Sequence, residues 1–450
     1  MHKEIMVIFT PKYLQKYYLY ISILMIMKKL NAFLSATAAI ALLASCNNTP
    51  QEEVALSGLK RADFQAEVQG KQTDMFTLKN ASGMEVCLTN FGGRMISIMV
   101  PDREGNFIDV LQGQKSIADY TTYASDFGAS IGQYANRINQ GKITLDGIEY
   151  QLPKNNYGHC LHGGCTLDGK GVGPEGANWN TPMGWQYSVL DVVEQNDSSV
   201  TFKKFSPDGE AGFPGNVTAT VTYTLTSDNA IVILWKATTD KKTVINQCNH
   251  AYFNFNADKS KQITNHKLWL NASYYTPVDS TFMTTGEIAT VEGTPMDFTS
   301  PKEIGAEIGN YDFEQLKFGN GYDHNWVLNT KGCMHCPVAR LACPDTGIKM
   351  EVYTNEPGIQ IYTGNFLDGT VNGKDGNPIN FRTAVCLETQ HFPDSPNKGD
   401  LEGWYSCELN PGDEYVSCCV YQFSVCNGEG ECDKVEVCSA EKEEGECCNE

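Results

Sequence analysis

Residues 217–237 read Val-Thr-Ala-Thr-Val-Thr-Tyr-Thr-Leu, then Thr-Ser-Asp-Asn, then Ala-Ile-Val-Ile-Leu-Trp-Lys-Ala. In the first run Val217, Ala219, Val221, Tyr223 and Leu225 alternate with threonines. One face is therefore apolar and the other polar, the period-two pattern of a half-buried strand. Ser227, Asp228 and Asn229 are residues that accept tight turns. They lead the chain into Ile231 to Ala237, a near-continuous apolar strand.

The same grammar recurs on both sides. Ile143-Thr-Leu145 and Ile148-Glu-Tyr150 alternate around Asp146-Gly147. Asp-Gly between alternating runs predicts a hairpin, because a type I′ turn needs positive φ at both central residues. Gly347 to Tyr353 and Tyr415 to Val425 alternate again. No long segment beyond the N-terminal region has helical spacing. The chain is thus expected to be all-β, a large antiparallel β-sandwich with few short helices, over residues 63–425 as one domain.

The 450 residues carry a formal net charge of -20. Such an acidic surface repels phosphate backbones and argues against nucleic acid as a partner, whereas neutral sugars are indifferent to it. The N-terminus reads as a targeting segment. Lys28 and Lys29 precede a mostly apolar stretch, Leu30 to Ala44, and then Leu43-Ala44-Ser45-Cys46. Basic, apolar and small-residue regions in that order define an export signal. The ending resembles a bacterial lipobox, which implies cleavage before Cys46 and lipidation of its sulfur. Residues 1–45 are then an upstream extension and lipoprotein signal, and 46–62 a lipid-proximal linker. Tyr17 to Met27 is also apolar, but neither it nor Leu30 to Ala44 is long enough for a membrane span. The expected location is the cell envelope, periplasmic or outer membrane, with membrane contact only through the lipid.

Seventeen cysteines are present, and spacing does not fix which of them pair. Cys333-Met-His-Cys336 alone is a weak metal or redox signal. Residues 426–450 contain nine acidic residues against two lysines, interspersed with five cysteines. This composition reads as a solvated, disordered tail.

Five polar clusters lie beside strand-like sequence: Gly132 to Asn139 with Asn136-Arg137, His159 to Gly164 with His162, Cys248 to Phe255 with His250 and Tyr252, Gly321 to Trp326 with Asp323, and Leu387 to Asp394 with Glu388. Glu356 to Asn365, with Gln360, precedes the last. An Asn-Arg pair offers an amide and forked donors to a polyhydroxylated ligand. A histidine titrates near neutrality and can hand a proton to oxygen, and a carboxylate at a strand end can accept one. Each cluster alone fits a structural role equally well.

Together, in this order and spacing, they resemble the aldose 1-epimerase (galactose mutarotase) family from about residue 63 to Val425. The resemblance implies a β-sandwich with a sugar cleft on its concave face. It implies that His250 is the general acid and Glu388 the general base. Asn136, Arg137, His162, Asp323 and Gln360 fall on substrate-binding positions, and Tyr252 borders the acid and joins them. Gln133-Tyr134 departs from the basic and small residues often seen before the Asn-Arg pair, and the cysteine-rich tail has no counterpart. The expected reaction interconverts the α and β anomers of free aldoses, with the charges of Glu388 and His250 supporting one another. No metal or redox cofactor is required. A calcium ion would be structural or orienting, and no dedicated calcium loop is present. The expected assembly is a monomer. Two alternatives are a non-catalytic carbohydrate-binding lipoprotein and a glycoside hydrolase using Asp323 and Glu388 as its two carboxyl groups.

Overall fold

The computed structural model describes residues 53–123, 125–164, 184–428 and 430–435. Cys46 and the export signal lie outside them. The hairpin that opened the sequence reading sits inside the largest sheet. Val217–Leu225 pairs antiparallel with Ala230–Thr239, Leu225 opposite Ile231 and Val221 opposite Trp235. Asn229 makes the turn at φ 69°. The Asp146-Gly147 hairpin also forms, with φ of 50° and 79° at the two turn residues.

Nine antiparallel strands make this sheet, in the order Asp191–Gln195, Ser199–Ser206, Val217–Leu225, Ala230–Thr239, Tyr415–Val425, Ile348–Thr354, Ala339–Ala342, Lys267–Leu270 and Lys302–Glu303. A four-stranded sheet runs through Met75–Lys79, Glu85–Thr89, Arg94–Pro101 and Phe107–Asp109. A five-stranded sheet has the order Ala289–Thr290, Tyr274–Thr276, Asp323–Val327, Gly358–Tyr362 and Cys386–Gln390. One apolar cluster joins all three, including Leu88 and Ile98, Tyr223, Trp235 and Phe423, and Trp326, Ile361 and Leu387. The α-helices among the described residues are short: Ile117–Thr122, Glu314–Gly319 and Ser395–Lys398. The expected antiparallel β-sandwich with few short helices is the observed architecture.

Two boundaries differ from expectation. Residues 53–62, read as linker, are already part of the domain. Ala55 and Leu59 are buried with Phe64 against Ile117 and Tyr120, and Leu56 donates its N–H to Glu85 at 2.6 Å. Hydrophobic anchors spaced within a polar stretch were enough to fold it down. Residues 426–428 and 430–435, read as the start of a disordered tail, are ordered as well. A Cys426–Cys432 disulfide closes a small loop, both sulfurs pack beside Ala342, and Lys267 pairs with Asp433 at 2.5 Å. Residues 436–450 lie outside the described residues. Cys336 of the C-x-x-C unit is disulfide-bonded. Cys418 and Cys419 are buried free thiols.

Candidate active site

The five-stranded sheet builds most of the site through its register. Asn325, Gln360 and Glu388 lie directly opposite one another on neighbouring strands, and so do Asp323, Tyr362 and Cys386. Alternation sends Trp326, Ile359, Ile361 and Leu387 into the core from the other face, all fully buried. The same strands that stabilise the fold therefore line up a polar row on the cleft side. Gln360 Nε2 donates to Asp323 Oδ1 at 2.7 Å, fixing that carboxyl.

His250 follows the short strand Cys248–Asn249, which pairs with Ser130–Ile131. Its Nε2 lies 3.5 Å from Glu388 Oε1. The Tyr252 ring stacks on the imidazole at 4.9 Å and 18°, and His162 meets it edge-on at 5.2 Å. Cys248 Sγ lies 3.7 Å from the other Glu388 oxygen. His250 and Glu388 are both nearly inaccessible, at 5% and 2%.

The Asn136-Arg137 loop forms a second wall. Asn136 sits at φ 63°, and its side-chain oxygen accepts the Arg137 N–H at 2.8 Å. Its own N–H donates to His162 Nδ1 at 3.1 Å. That bond leaves the His162 proton on Nε2. Burial, with His250 and Arg137 nearby, pushes this ring down to about 3, so it is a neutral donor. Gly163, at φ 73°, could not carry a side chain, since a Cβ there would lie 2.6 Å from the Gly132 carbonyl oxygen. Arg137 donates Nε to Asn156 at 3.0 Å and its guanidinium covers Phe282 at 4.8 Å. Asp394 braces the loop, accepting the Asn139 N–H at 2.8 Å and donating its own N–H to the Arg137 carbonyl at 2.8 Å.

All eight residues expected on the cleft, namely His250, Glu388, Asn136, Arg137, His162, Tyr252, Asp323 and Gln360, thus converge. Asn136 does so mainly by shaping the loop. His391, in the same segment as Glu388, instead makes a bond with Glu356 at 2.6 Å, and that neighbour outweighs burial to raise it.

Electrostatics differ from the expectation of a self-supporting charged pair. Burial raises the Glu388 carboxyl well above its usual range, and Asp323 and Asp126 raise it further, while Cys248 and Arg137 draw it back. Burial lowers His250, with Asp126 opposing. Removing water disfavours both charged forms before the two groups can assist each other. Burial also raises Asp323, opposed by Arg137 and Gln360.

Several site residues gave no sequence signal. Asp126 sits in an ordinary turn. Arg94 is fully buried and donates to the carbonyls of Phe127 and Gln186 at 3.0 and 2.7 Å, holding the segment that carries Asp126. Cys386 could have been found, because strand alternation puts it on the face of Glu388. Among the described residues, two groups bring ligand-type atoms within 4.8 Å of one another: Asp126, His162 and His250, and His250, Cys386 and Glu388. Both include His250, so an ion at either would compete for the imidazole.

The profile of the aldose 1-epimerase family matches residues 74–422. The chain belongs to this family. The epimerase is 38% identical over 357 residues to aldose 1-epimerase of Escherichia coli K12, covering 79% of this chain and 96% of that protein. It is 37% identical to mouse galactose mutarotase, covering 79% of this chain and 95% of that one. Among solved structures, the GalM/aldose epimerase homologue from C. elegans superposes with a TM-score of 0.69 at 29% identity, covering 78% of this chain and 99% of that one. Galactose 1-epimerase from Lactobacillus acidophilus gives 0.66 at 26%, covering 80% and 97%. The protein is accordingly an isomerase of the mutarotase type.

Proposed function

We propose that the epimerase interconverts the α and β anomers of free hexoses such as glucose and galactose, with Glu388 as general base and His250 as general acid. Ring opening needs one proton removed from the C1 hydroxyl and one delivered to the ring oxygen. These atoms share one carbon, so their partners must be neighbours. The observation that carries the reading is the 3.5 Å separation of His250 Nε2 and Glu388 Oε1. Glu388 takes the hydroxyl proton as the C1–O5 bond breaks and the aldehyde forms. His250 protonates O5. Rotation about C1–C2 presents the other carbonyl face, and closure reverses both transfers. Each positioned transfer is worth roughly 10²–10⁴-fold.

Arg137, the His162 Nε2–H, Asp323 and Gln360 hold the remaining hydroxyls, leaving C1 free to turn. Asp323 accepts, Arg137 and His162 donate, and Gln360 Oε1 is buried with no protein partner, which suits a substrate hydroxyl. The steps are proton transfers only, so no metal or redox cofactor is assigned. The lipobox-like Leu43-Ala-Ser-Cys46 and the basic-apolar run before it support an exported, lipid-anchored protein. Polarimetry on freshly dissolved α-glucose and α-galactose tests the catalytic assignment. Glu388→Gln and His250→Asn should each abolish the acceleration while keeping the fold, and a near-parental rate in either rejects it.

A further inference from the structure

Each side chain of the dyad has a cysteine two residues before it, Cys248 before His250 and Cys386 before Glu388. On the strand Cys386–Gln390 that spacing puts the Cys386 thiol on the face of Glu388. The strand Cys248–Asn249 packs alongside and brings in His250. Sulfur, nitrogen and oxygen therefore meet at one point. The Cys386 sulfur, an imidazole nitrogen of His250 and a Glu388 oxygen lie within 4.8 Å of one another. All three residues are buried. Ligand atoms about 2.0–2.3 Å from a tetrahedral zinc ion stand about 3.3–3.8 Å apart. His250 Nε2 and Glu388 Oε1, at 3.5 Å, already have that spacing, and the thiol needs only a short movement to join them. The proton transfers assigned to Glu388 and His250 make no use of the Cys386 sulfur.

We propose that Cys386, His250 and Glu388 form a binding site for a thiophilic divalent cation, Zn²⁺ foremost, and that the bound ion inhibits the enzyme by occupying its dyad. Three protein ligands leave a fourth position for water, the composition of an open zinc site. A thiolate with an imidazole selects Zn²⁺ over Mg²⁺ and Ca²⁺, which take oxygen ligands. Cys248 Sγ, 3.7 Å from the other carboxylate oxygen, steadies Glu388 from outside the ligand set. Burial raises the Cys386 thiol well above its usual range, so it is protonated in the free enzyme. A coordinated thiol loses its proton outright, and here that proton passes to water. Zn²⁺ with one thiolate, one carboxylate and a neutral imidazole carries no net charge, which suits a pocket where desolvation penalises unpaired ions. The second group, Asp126, His162 and His250, is the weaker competitor. It has no sulfur, and His162 Nδ1 already accepts the Asn136 N–H.

The test follows mutarotation of α-glucose across a Zn²⁺ titration, and reads binding directly from the sulfur-to-metal charge-transfer absorption of added Co²⁺. Zn²⁺ should inhibit the parent competitively, raising KM with kcat unchanged, and EDTA should restore the rate. Mg²⁺ and Ca²⁺ should not inhibit. In Cys386→Ser, measured against its own metal-free rate, the Zn²⁺ inhibition constant should rise at least about tenfold and the cobalt band should weaken. Cys386→Ala repeats the comparison should serine disturb the fold. Asp126→Asn should leave the inhibition constant within about twofold. No inhibition by Zn²⁺, or inhibition unaltered in both Cys386 variants, would overturn the site. Inhibition relieved by Asp126→Asn alone would overturn it in favour of the second group. The inhibitory effect rests on the mutarotase reading, whereas the cobalt band does not. A protein that accelerates no sugar yet shows a band dependent on Cys386 would lose that reading and keep the metal site.

Discussion

Replacing Glu388 with glutamine keeps the side chain's shape and removes its charge. The carboxyl is 2% exposed, 3.5 Å from His250 and 3.7 Å from Cys248. Glutamine can still accept from the thiol, but it cannot take the C1 hydroxyl proton. Loss of one positioned base should cost about 10²–10⁴ in kcat, or roughly 2.7–5.4 kcal/mol of barrier at 1.36 kcal/mol per tenfold. Stability should move the other way. Burial raises the folded-state pKa of Glu388 above its unfolded value. Below the unfolded value the acid is neutral in both states and carries no charge penalty. As pH rises through the folded value, stability of the parent is lost. The glutamine variant should therefore melt with the parent near about pH 4 and above it near about pH 8. Polarimetry on fresh α-glucose and calorimetry across that range check both halves. A rate within tenfold of the parent, or a variant destabilised at every pH, would falsify the placement of a buried base at this position.

Asp323→Asn removes a carboxylate that raises Glu388, so the acidic limb of kcat/KM should move to lower pH. A limb that stays put or moves up would show that Asp323 does not act on the base. Arg137→Lys keeps the charge but loses the planar fork bound to Asn156 and lying over Phe282, so KM should rise about tenfold with kcat less affected; an unchanged KM would count against a hydroxyl-binding role. Trp235→Ala removes a fully buried indole whose N–H donates to Ser130 at 2.8 Å, and should cost about 3–5 kcal/mol in urea unfolding. A cost below about 1 kcal/mol would mean the sandwich core does not close over that ring.

The strands were legible wherever a half-buried face forced alternation, as in Val217–Leu225, because threonines on the outer face mark every second position. The cleft strand Cys386–Gln390 was harder to read. Both of its faces are buried, so its five residues show no contrast in exposure. Its polar residues stand out only because Glu388 and Gln390 fall two apart. The catalytic candidates were found from motif order, yet their convergence depends on register between strands far apart in sequence, which no local pattern encodes. Asp126 and Arg94 were missed for that reason. Their roles come from reaching across to His250, Glu388 and the Gln186 carbonyl, and nothing beside them in the chain announces it. The folded segment 53–62 was missed because its two buried apolar anchors, Ala55 and Leu59, are too few to show a period.

The preference of the dry pocket for neutral partners fits the chemistry better than a permanently charged pair would. Protonated imidazole with carboxylate and neutral imidazole with carboxylic acid contain the same number of protons. In the proposed reaction, ring opening converts the first state into the second, Glu388 gaining the hydroxyl proton and His250 giving one to O5. Burial raises the acid and lowers the imidazole, so desolvation shifts the pair toward its neutral form. The charged form is needed to begin, and Arg137 with the Cys248 thiol supports it from the carboxylate side. The neutral form is the enzyme while it holds the open-chain aldehyde, and desolvation stabilises it. Opposed supports, charge partners for the charged form and desolvation for the neutral one, let the proton return as well as leave. An isomerase that must close the ring on either face, in either direction, needs that balance more than it needs a strong acid or a strong base.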